Sequence, residues 1–354
     1  MAKKPLRVGL IGAGGVVRGF HLNPGWTELG NAVELVAVAD VYEPNAKKLA
    51  EDFGIGKVYT DFRRMLRESD LDAVDICAPN RVHTPAVVAA LQKGCHVLCE
   101  KPLAVTTAEV RKMAAAAKKA KKILMTAQHQ RWTQSAQTAK AWIDAGRLGE
   151  VYHSVVHALR RNWVPPRPGF IDVNLSGGGP SMDIGVHALD LGMHLMGFPK
   201  PVRVTGKYAT NFAKGHDLPG GWGEWDRKLY TVEDFASGFV HFDNGATMVL
   251  ESSWLNHQEM KEDLSVRLYG KKAMLHWPEN RFATSDAGVL VDGELSPAGD
   301  RATRAHTAEI LAFHEAIVEG RKSPVPVQET LYVIAILEAI EKSGRLGREI
   351  RLKL

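Results

Sequence analysis

From residue 5 to about residue 126 the chain alternates short, nearly continuous apolar runs with amphipathic stretches. The apolar runs are L-R-V-G-L-I-G, V-E-L-V-A-V-A-D, A-V-D-I-C-A-P, H-V-L-C-E and I-L-M-T-A, and between them lie Pro44 to Phe53, Thr84 to Lys93 and Thr107 to Lys119. A strand that is apolar on both faces must be covered on both faces, and helices between successive strands supply the cover. The pattern therefore predicts a doubly wound α/β domain on a parallel sheet. After about residue 128 the texture changes to longer strands with turn signals, notably F-A-S-G-F-V-H-F-D-N-G-A-T-M-V-L-E-S-S-W, where Asp243-Asn244-Gly245 supplies hairpin chemistry. More strands follow through Leu275, then helices near 304–319 and 328–342 and a strand-like R-E-I-R-L. This predicts a second domain on a large, mostly antiparallel sheet, dividing the chain into 1–128 and 129–354. No repeat, low-complexity tract or long linker interrupts it.

Size and composition narrow the function classes. A chain of 354 residues that is 45% apolar can bury two cores. Every apolar run is cut by Gly, Pro or a charge well short of the roughly 18 residues a membrane helix needs, so no membrane span is expected. The start M-A-K-K-P-L-R-V-G-L-I-G has the basic residues of a signal peptide, but its glycines and lack of a cleavage site make it a first strand. Cys77, Cys95 and Cys99 lack paired C-x-x-C spacing, which argues against a zinc site or disulfide framework and suits a reducing cytoplasm. The net charge of +5 and the basic run Lys118 to Lys122 come with no nucleic-acid motif, so the run reads as a solvated helix end. Mild basicity would instead attract anionic cofactors or substrates.

Directly after the first strand comes Gly12-Ala-Gly14-Gly15-Val16-Val17, opening a helical stretch. In that context glycines let the backbone approach a pyrophosphate, whose charge sits at the helix start. Val17 stands where the fingerprint has Gly or Ala, so helix and strand must pack wider there. The second strand ends in Asp40, placed to bind both ribose hydroxyls of NAD and to repel the 2′-phosphate of NADP. Its neighbour Val41 is not the Arg that NADP would want, so NAD is expected. Capping of the helix that begins near Pro44 is the other role open to Asp40. Asp40 lies 28 residues beyond Gly12, and the extra length falls in H-L-N-P-G-W-T-E-L-G, read as an extension of the first helix and its loop. A further strand ends in A-Pro79-Asn80-R-V-His83, at the carboxyl edge where such sheets bind ligands. Asn80 and His83 are expected on the nicotinamide side, with helix capping also open to Asn80.

The strand V-L-C ends in Glu100, Lys101 and Pro102 on that same edge, where a turn would ordinarily use Gly, Asn, Asp or Ser. A solubilising lysine is the simple explanation, yet Pro102 restricts the lysine and admits a cis bond. The geometry suits a lysine aimed at the nicotinamide. Its candidate partners lie in S-G-G-G-P-S-M-D-I-G-V-H-A-L-D-L-G-M-H, where Asp183, His187, Asp190 and His194 share one helical stripe. Pro180 and the glycines before it mark the helix start. Catalysis, a structural polar face and a metal site all remain open to this stripe, although no Cys or Glu completes a metal set, and no metal is expected.

G-x-G-G, A-P-N-x-x-H, E-K-P and D-I-G-x-H-x-x-D, in this order and over this length, resemble the glucose-fructose oxidoreductase and inositol dehydrogenase (Gfo/Idh/MocA) family, including the C-terminal G-x-x-S-P-V-P at 320–326. The resemblance implies an N-terminal Rossmann domain and a C-terminal α/β domain whose open sheet forms homo-oligomers. It also implies a cis Lys101–Pro102 bond and a catalytic set of Lys101, Asp183 and His187, with Glu100 beside the cofactor. Free lysine is protonated at neutral pH and histidine can cycle. His187 is then expected as general acid/base, Asp183 as the group that orients its ring, and Lys101 as the group that holds the hydroxyl and polarises its oxygen; a desolvated Lys101 is the other candidate base. Seven of eight tryptophans fall after residue 128, and five of these stand beside polar groups, in H-Q-R-W (His129, Arg131, Trp132), R-R-N-W (Arg160, Trp163), G-W-G-E-W and W-L-N-H. Aromatic faces beside Arg, His and Asn suit sugar rings, although core packing or an interface explains any one of them. Three functions follow from the resemblance: an NAD-dependent sugar or polyol dehydrogenase, a redox-neutral glycosidase or lyase using NAD, and a non-enzymatic NAD-binding sensor.

Overall fold

The computed structural model describes residues 4–215, 218–297, 299 and 303–354, so the first three residues of the expected first strand lie outside the described residues. The chain divides into two compact units, Met1–Trp132 with Ala302–Leu331, and Thr133–Arg301 with Tyr332–Leu354. A division by sequence order at residue 128 leaves 302–331 with the second half; in the structure this segment belongs to the first unit.

The first unit is built on a six-stranded sheet of β1 (Leu6–Ile11), β2 (Val33–Ala39), β3 (Lys57–Tyr59), β4 (Ala73–Ile76), β5 (His96–Cys99) and β6 (Leu124–Thr126). Their spatial order is β3-β2-β1-β4-β5-β6, and every pairing is parallel. The strands are apolar on both faces because helices cover both, and β4 is buried at all four positions. β3 is too short to show in the pattern of the sequence. The order reverses direction between β1 and β4, which opens a crevice beyond their carboxyl ends.

The expected long first helix is not formed. A π-helical segment, Val17–His21, is followed by a turn through Asn23–Pro24 and a 3-10 segment, Trp26–Ala32. Proline supplies no N–H and disfavours helix at the residue before it, so N-P-G ends the helix instead of extending it. This break turns Trp26 inward, where it is 1% exposed and meets the ring of Phe313 edge-on at 6.1 Å. Phe313 and Ile310 come from the helix Ala305–Val318 and join Val8, Leu10, Val38 and Leu49 in one core.

The second unit holds a nine-stranded sheet of β7 (Val151–Arg160), β8 (Pro201–Ala209), β9 (Phe235–Phe242), β10 (Thr247–Ser253), β11 (Glu262–Gly270), β12 (Ala273–Trp277), β13 (Arg281–Asp286), β14 (Val289–Glu294) and β15 (Ile350–Arg351). The order is β14-β13-β12-β11-β7-β10-β9-β8-β15, and among these strands β7 and β10 alone run parallel to each other. The Asp243-Asn244-Gly245 turn joins β9 and β10 as its sequence demands, with Gly245 at φ +86°. Alternate residues of β9 and β10 are buried against the helices Gln134–Asp144 and Val186–Leu195 and the 332–346 part of Val327–Leu346. Gly206 of β8 lets that last helix come close, since a β-carbon there would stand 2.9 Å from the Ile340 backbone. The opposite sheet face carries Phe239, which is 39% exposed, aligned with the half-buried Val249 and Val155. Among the described residues no helix is long and apolar enough to cross a membrane.

Candidate active site

In the first unit the chain leaves β1 through Gly12, whose φ of +100° and 2.3 Å clearance between a would-be β-carbon and the Cys77 carbonyl oxygen exclude any other residue. The loop is thereby pressed against the end of β4. Around Gly14 and Gly15 the space is open, with no atom beyond the local chain within 4 Å of a β-carbon placed there. Asp40 ties this loop down, accepting from the Ala13 N–H at 2.7 Å and from the Tyr42 N–H at 2.8 Å. Next to it Val41 is 91% exposed and Tyr42 60%. Val16 is half-exposed, while Val17 is buried where the helix widens into the π form. A glycine cradle, open above and anchored by a carboxylate at the end of β2, fits the pyrophosphate and ribose of a dinucleotide.

At the ends of β4 and β5, Pro79 precedes the helix Asn80–Lys93, which Asn80 opens. His83 is buried, with Nδ1 2.8 Å from the Pro102 carbonyl and Nε2 2.8 Å from the Ala78 carbonyl, so it braces the turn beyond Lys101. Burial lowers its pKa. Lys101 is half-buried, its bond to Pro102 is cis, and its backbone N–H donates to Glu100 Oε2 at 3.0 Å. The other Glu100 oxygen lies 2.9 Å from His21 Nε2, and His21 Nδ1 lies 2.8 Å from Asp75 Oδ2, which also accepts from the Trp26 indole at 2.8 Å. Burial would raise the Glu100 pKa, but the His21 hydrogen bond and charge, then Lys101, hold it at about 2. His21, which burial alone would push down, is raised by Asp75. Cys77 Sγ completes a group within 4.8 Å with His21 and Asp75. Both ring nitrogens of His21 are already taken by carboxylates, which makes the group an ion-pair network. The signal that could have revealed it is Asp75 itself, since a carboxylate inside an otherwise apolar buried strand must have a partner.

The remaining expected ligand-binding residues near residue 130 divide. His129 stacks on His306 at 3.8 Å and 16°. Arg131 is only 3% exposed and pairs with Glu329 at 2.6 Å, and Trp132 packs at the edge of the first unit's core. His306 lies on the helix that returns late in the sequence, out of reach of any local motif.

In the second unit the stripe starts in a π segment, Ser181–Gly185, and continues in the helix Val186–Leu195. The wider π turn changes the spacing at the start of the stripe. Asp190 is fully buried, whereas Asp183 and His187 are half-buried. Trp254 Nε1 donates to Asp183 at 3.2 Å, and the Arg160 guanidinium stands 3.8 Å from it while bonding Glu262 at 2.7 Å. Arg160 also lies over the ring of Trp222 at 4.8 Å, and Trp222 stacks on Trp163 at 5.5 Å and 9°. The loop before Asp183 is held by Glu233, which no sequence motif marks; it accepts from Gly179 N, Ser181 N and Ser181 Oγ at 2.8, 3.0 and 2.5 Å, and from the Tyr208 hydroxyl.

The two units therefore present a dinucleotide-binding sheet edge and a helix bearing acid and imidazole, the parts of an NAD-binding oxidoreductase. Residues 6–128 match the model of the oxidoreductase family with an NAD-binding Rossmann fold, and residues 136–276 match the Gfo/Idh/MocA C-terminal domain. The chain belongs to the Gfo/Idh/MocA family. It is 34% identical over 355 residues to D-glucoside 3-dehydrogenase of Escherichia coli (strain K12), covering 99% of both chains. It is 25% identical over 363 residues to myo-inositol 2-dehydrogenase of Thermotoga maritima, covering 98% of this chain and 99% of the other. The crystal structure of aldose-aldose oxidoreductase from Caulobacter crescentus, complexed with glycerol, is similar at a TM-score of 0.80 and 26% identity, covering 98% of this chain and all of the other.

Proposed function

We propose that the protein is an NAD-dependent dehydrogenase that oxidises a secondary hydroxyl of a glucoside, or of a related sugar or cyclic polyol, to the ketone. The observation that carries this reading is the acid and imidazole on one helix, Asp183 set by Trp254 and Arg160 with His187 one turn on, in a chain 34% identical to a glucoside dehydrogenase over 99% of both. When bound, NAD supplies the acceptor for the hydride that leaves the carbinol carbon. His187 takes the hydroxyl proton, Asp183 orients the ring, and Lys101 donates to the hydroxyl oxygen and stabilises the charge that develops there. Gly12, Gly14 and Gly15 hold the pyrophosphate, and Asp40 takes the ribose hydroxyls and disfavours the phosphate of NADP. The free thiols Cys77, Cys95 and Cys99 suit the reducing cytoplasm, and the sheet face bearing Phe239 suits a homo-oligomer.

A second reading, net cleavage of a glycoside with the cofactor restored in each turnover, draws support from the Trp163–Trp222 stack and Arg160, a flat platform suited to an aglycone ring. Incubation with NAD and a panel of methyl and aryl glucosides separates the two. NADH absorbance without release of the aryl alcohol supports the dehydrogenase, whereas aryl alcohol without net NADH supports cleavage. Lys101→Ala and His187→Ala are expected to lower kcat by about a hundredfold or more; full turnover in both would overturn the assignment of these residues.

A further inference from the structure

A line of charge runs through the first unit beneath Lys101. Asp75, His21 and Glu100 follow one another at 2.8 and 2.9 Å, and Glu100 then receives the Lys101 N–H at 3.0 Å. Asp75 and His21 are fully buried, and the Glu100 side chain is 12% exposed. A neutral imidazole has one N–H, yet here each ring nitrogen faces a carboxylate, so only the imidazolium satisfies both contacts. The ring is brought there by a local irregularity. Leu22 N–H bonds to the Val17 carbonyl, five residues back, and the extra residue in that turn ends the π segment on His21 and turns it into the core. Trp26, delivered by the break that follows, fixes the far end of the line by donating to Asp75.

We propose that His21 is a positioning residue for Lys101: clamped as an imidazolium between Asp75 and Glu100, it fixes the carboxylate whose second oxygen holds the Lys101 backbone, and so sets where the lysine side chain leaves the sheet edge. The proposal rests on the reading in which Lys101 serves the reaction. The other titratable groups around the line do not take over its role. Cys77 is held protonated by burial, Glu309 is pushed well above the carboxylate range by burial, and burial lowers His129 to about 3 and His306 to about 4. In the neutral range His21 and Lys101 are therefore the cations that act on Glu100.

The test compares His21→Asn, which keeps a donor only on the Asp75 side, with His21→Gln, which reaches Glu100 from the Nε2 side. With NAD and methyl β-glucoside, His21→Asn should lose about tenfold to a hundredfold in kcat, with NAD affinity by fluorescence titration within about twofold of the parent, and His21→Gln should recover part of the loss. Two readouts need no turnover: nitrogen NMR of the His21 ring, which should show both nitrogens protonated at neutral pH, and the pH profile of Lys101 acetylation followed by mass spectrometry, which should move in His21→Asn. A folded His21→Asn protein with parental kcat and acetylation profile would overturn the proposal, as would a neutral His21 ring. Should His21→Asn fail to fold, the shape-conserving Asp75→Asn carries the same expectations. Lys101→Ala keeps the two ideas apart: full turnover in it sinks the role of Lys101, whereas loss of turnover there with no effect at His21 sinks this proposal alone.

Discussion

A carboxylate sealed from water persists only where donors surround it, and Glu233 obeys that rule at 1% exposure with four donors around it. Burial pushes its pKa up, while Ser181, Tyr208 and Gly179 oppose the rise by bonding the charged form. Glu233→Gln must turn its amide NH2 toward the backbone N–H of Gly179 or of Ser181, neither of which can accept, so it is expected to cost about 2–3 kcal/mol in urea unfolding and to lower kcat through the loop before Asp183. The stacked imidazoles give a pH effect of definite sign. Burial holds His306 at about 4, and burial with the His306 charge holds His129 at about 3. The unfolded chain binds these protons below about pH 6.5 and the folded unit does not. Stability is thus fully present above 6.5 and falls as the pH drops toward 4 and then 3, by ~1.4 kcal/mol per pH unit for each ring. His306→Phe keeps an aromatic between Phe20 and His129 and should make the acid limb of the urea midpoint shallower by one ring's share. None of these roles was legible locally: H-Q-R-W suggests a sugar contact for His129 and not a buried stack, His306 and Glu233 sit in stretches whose neighbours carry no motif, and what makes all three matter is a partner far away in sequence.

Elements that are specified by local chemistry came through unchanged. Asp-Asn-Gly produces the β9–β10 turn because its residues favour the backbone angles the turn requires. The apolar runs produce β1, β2, β4, β5 and β6 in place. A glycine fingerprint implies a full first helix, whereas Asn23-Pro24-Gly25 stops this one within a few residues. Two π segments, Val17–His21 and Ser181–Gly185, stand at the sites of greatest interest, and each depends on packing that periodicity does not encode. The glycine loop offers a clean contrast. Gly12→Ala combines positive φ with a backbone collision and should lose at least about 2 kcal/mol of stability. Gly14→Ala faces open space and should unfold at the parental urea concentration while binding NAD more weakly, as measured by fluorescence titration.

At the scale of the molecule, the order of residues and the order of cores differ. Ile310, Phe313 and Val325 belong to the core of the first unit, so a fragment ending at residue 128 leaves Trp26 and its neighbours without their cover. Such a fragment is expected to show no cooperative unfolding transition by circular dichroism, and adding the 302–331 segment as a peptide should restore one. The sequence by itself determined the two kinds of sheet, the glycine cradle with Asp40, the family, and the candidacy of Lys101, Asp183 and His187, because each is written in spacing or turn chemistry within a short stretch. Only the tertiary structure decided that 302–331 completes the first core, that Arg131 is spent on Glu329, and that Asp75, His21 and Glu100 form a line beneath Lys101. The physical reason is common to all three: burial and charge pairing depend on distance in space, and a period or motif reports only distance along the chain.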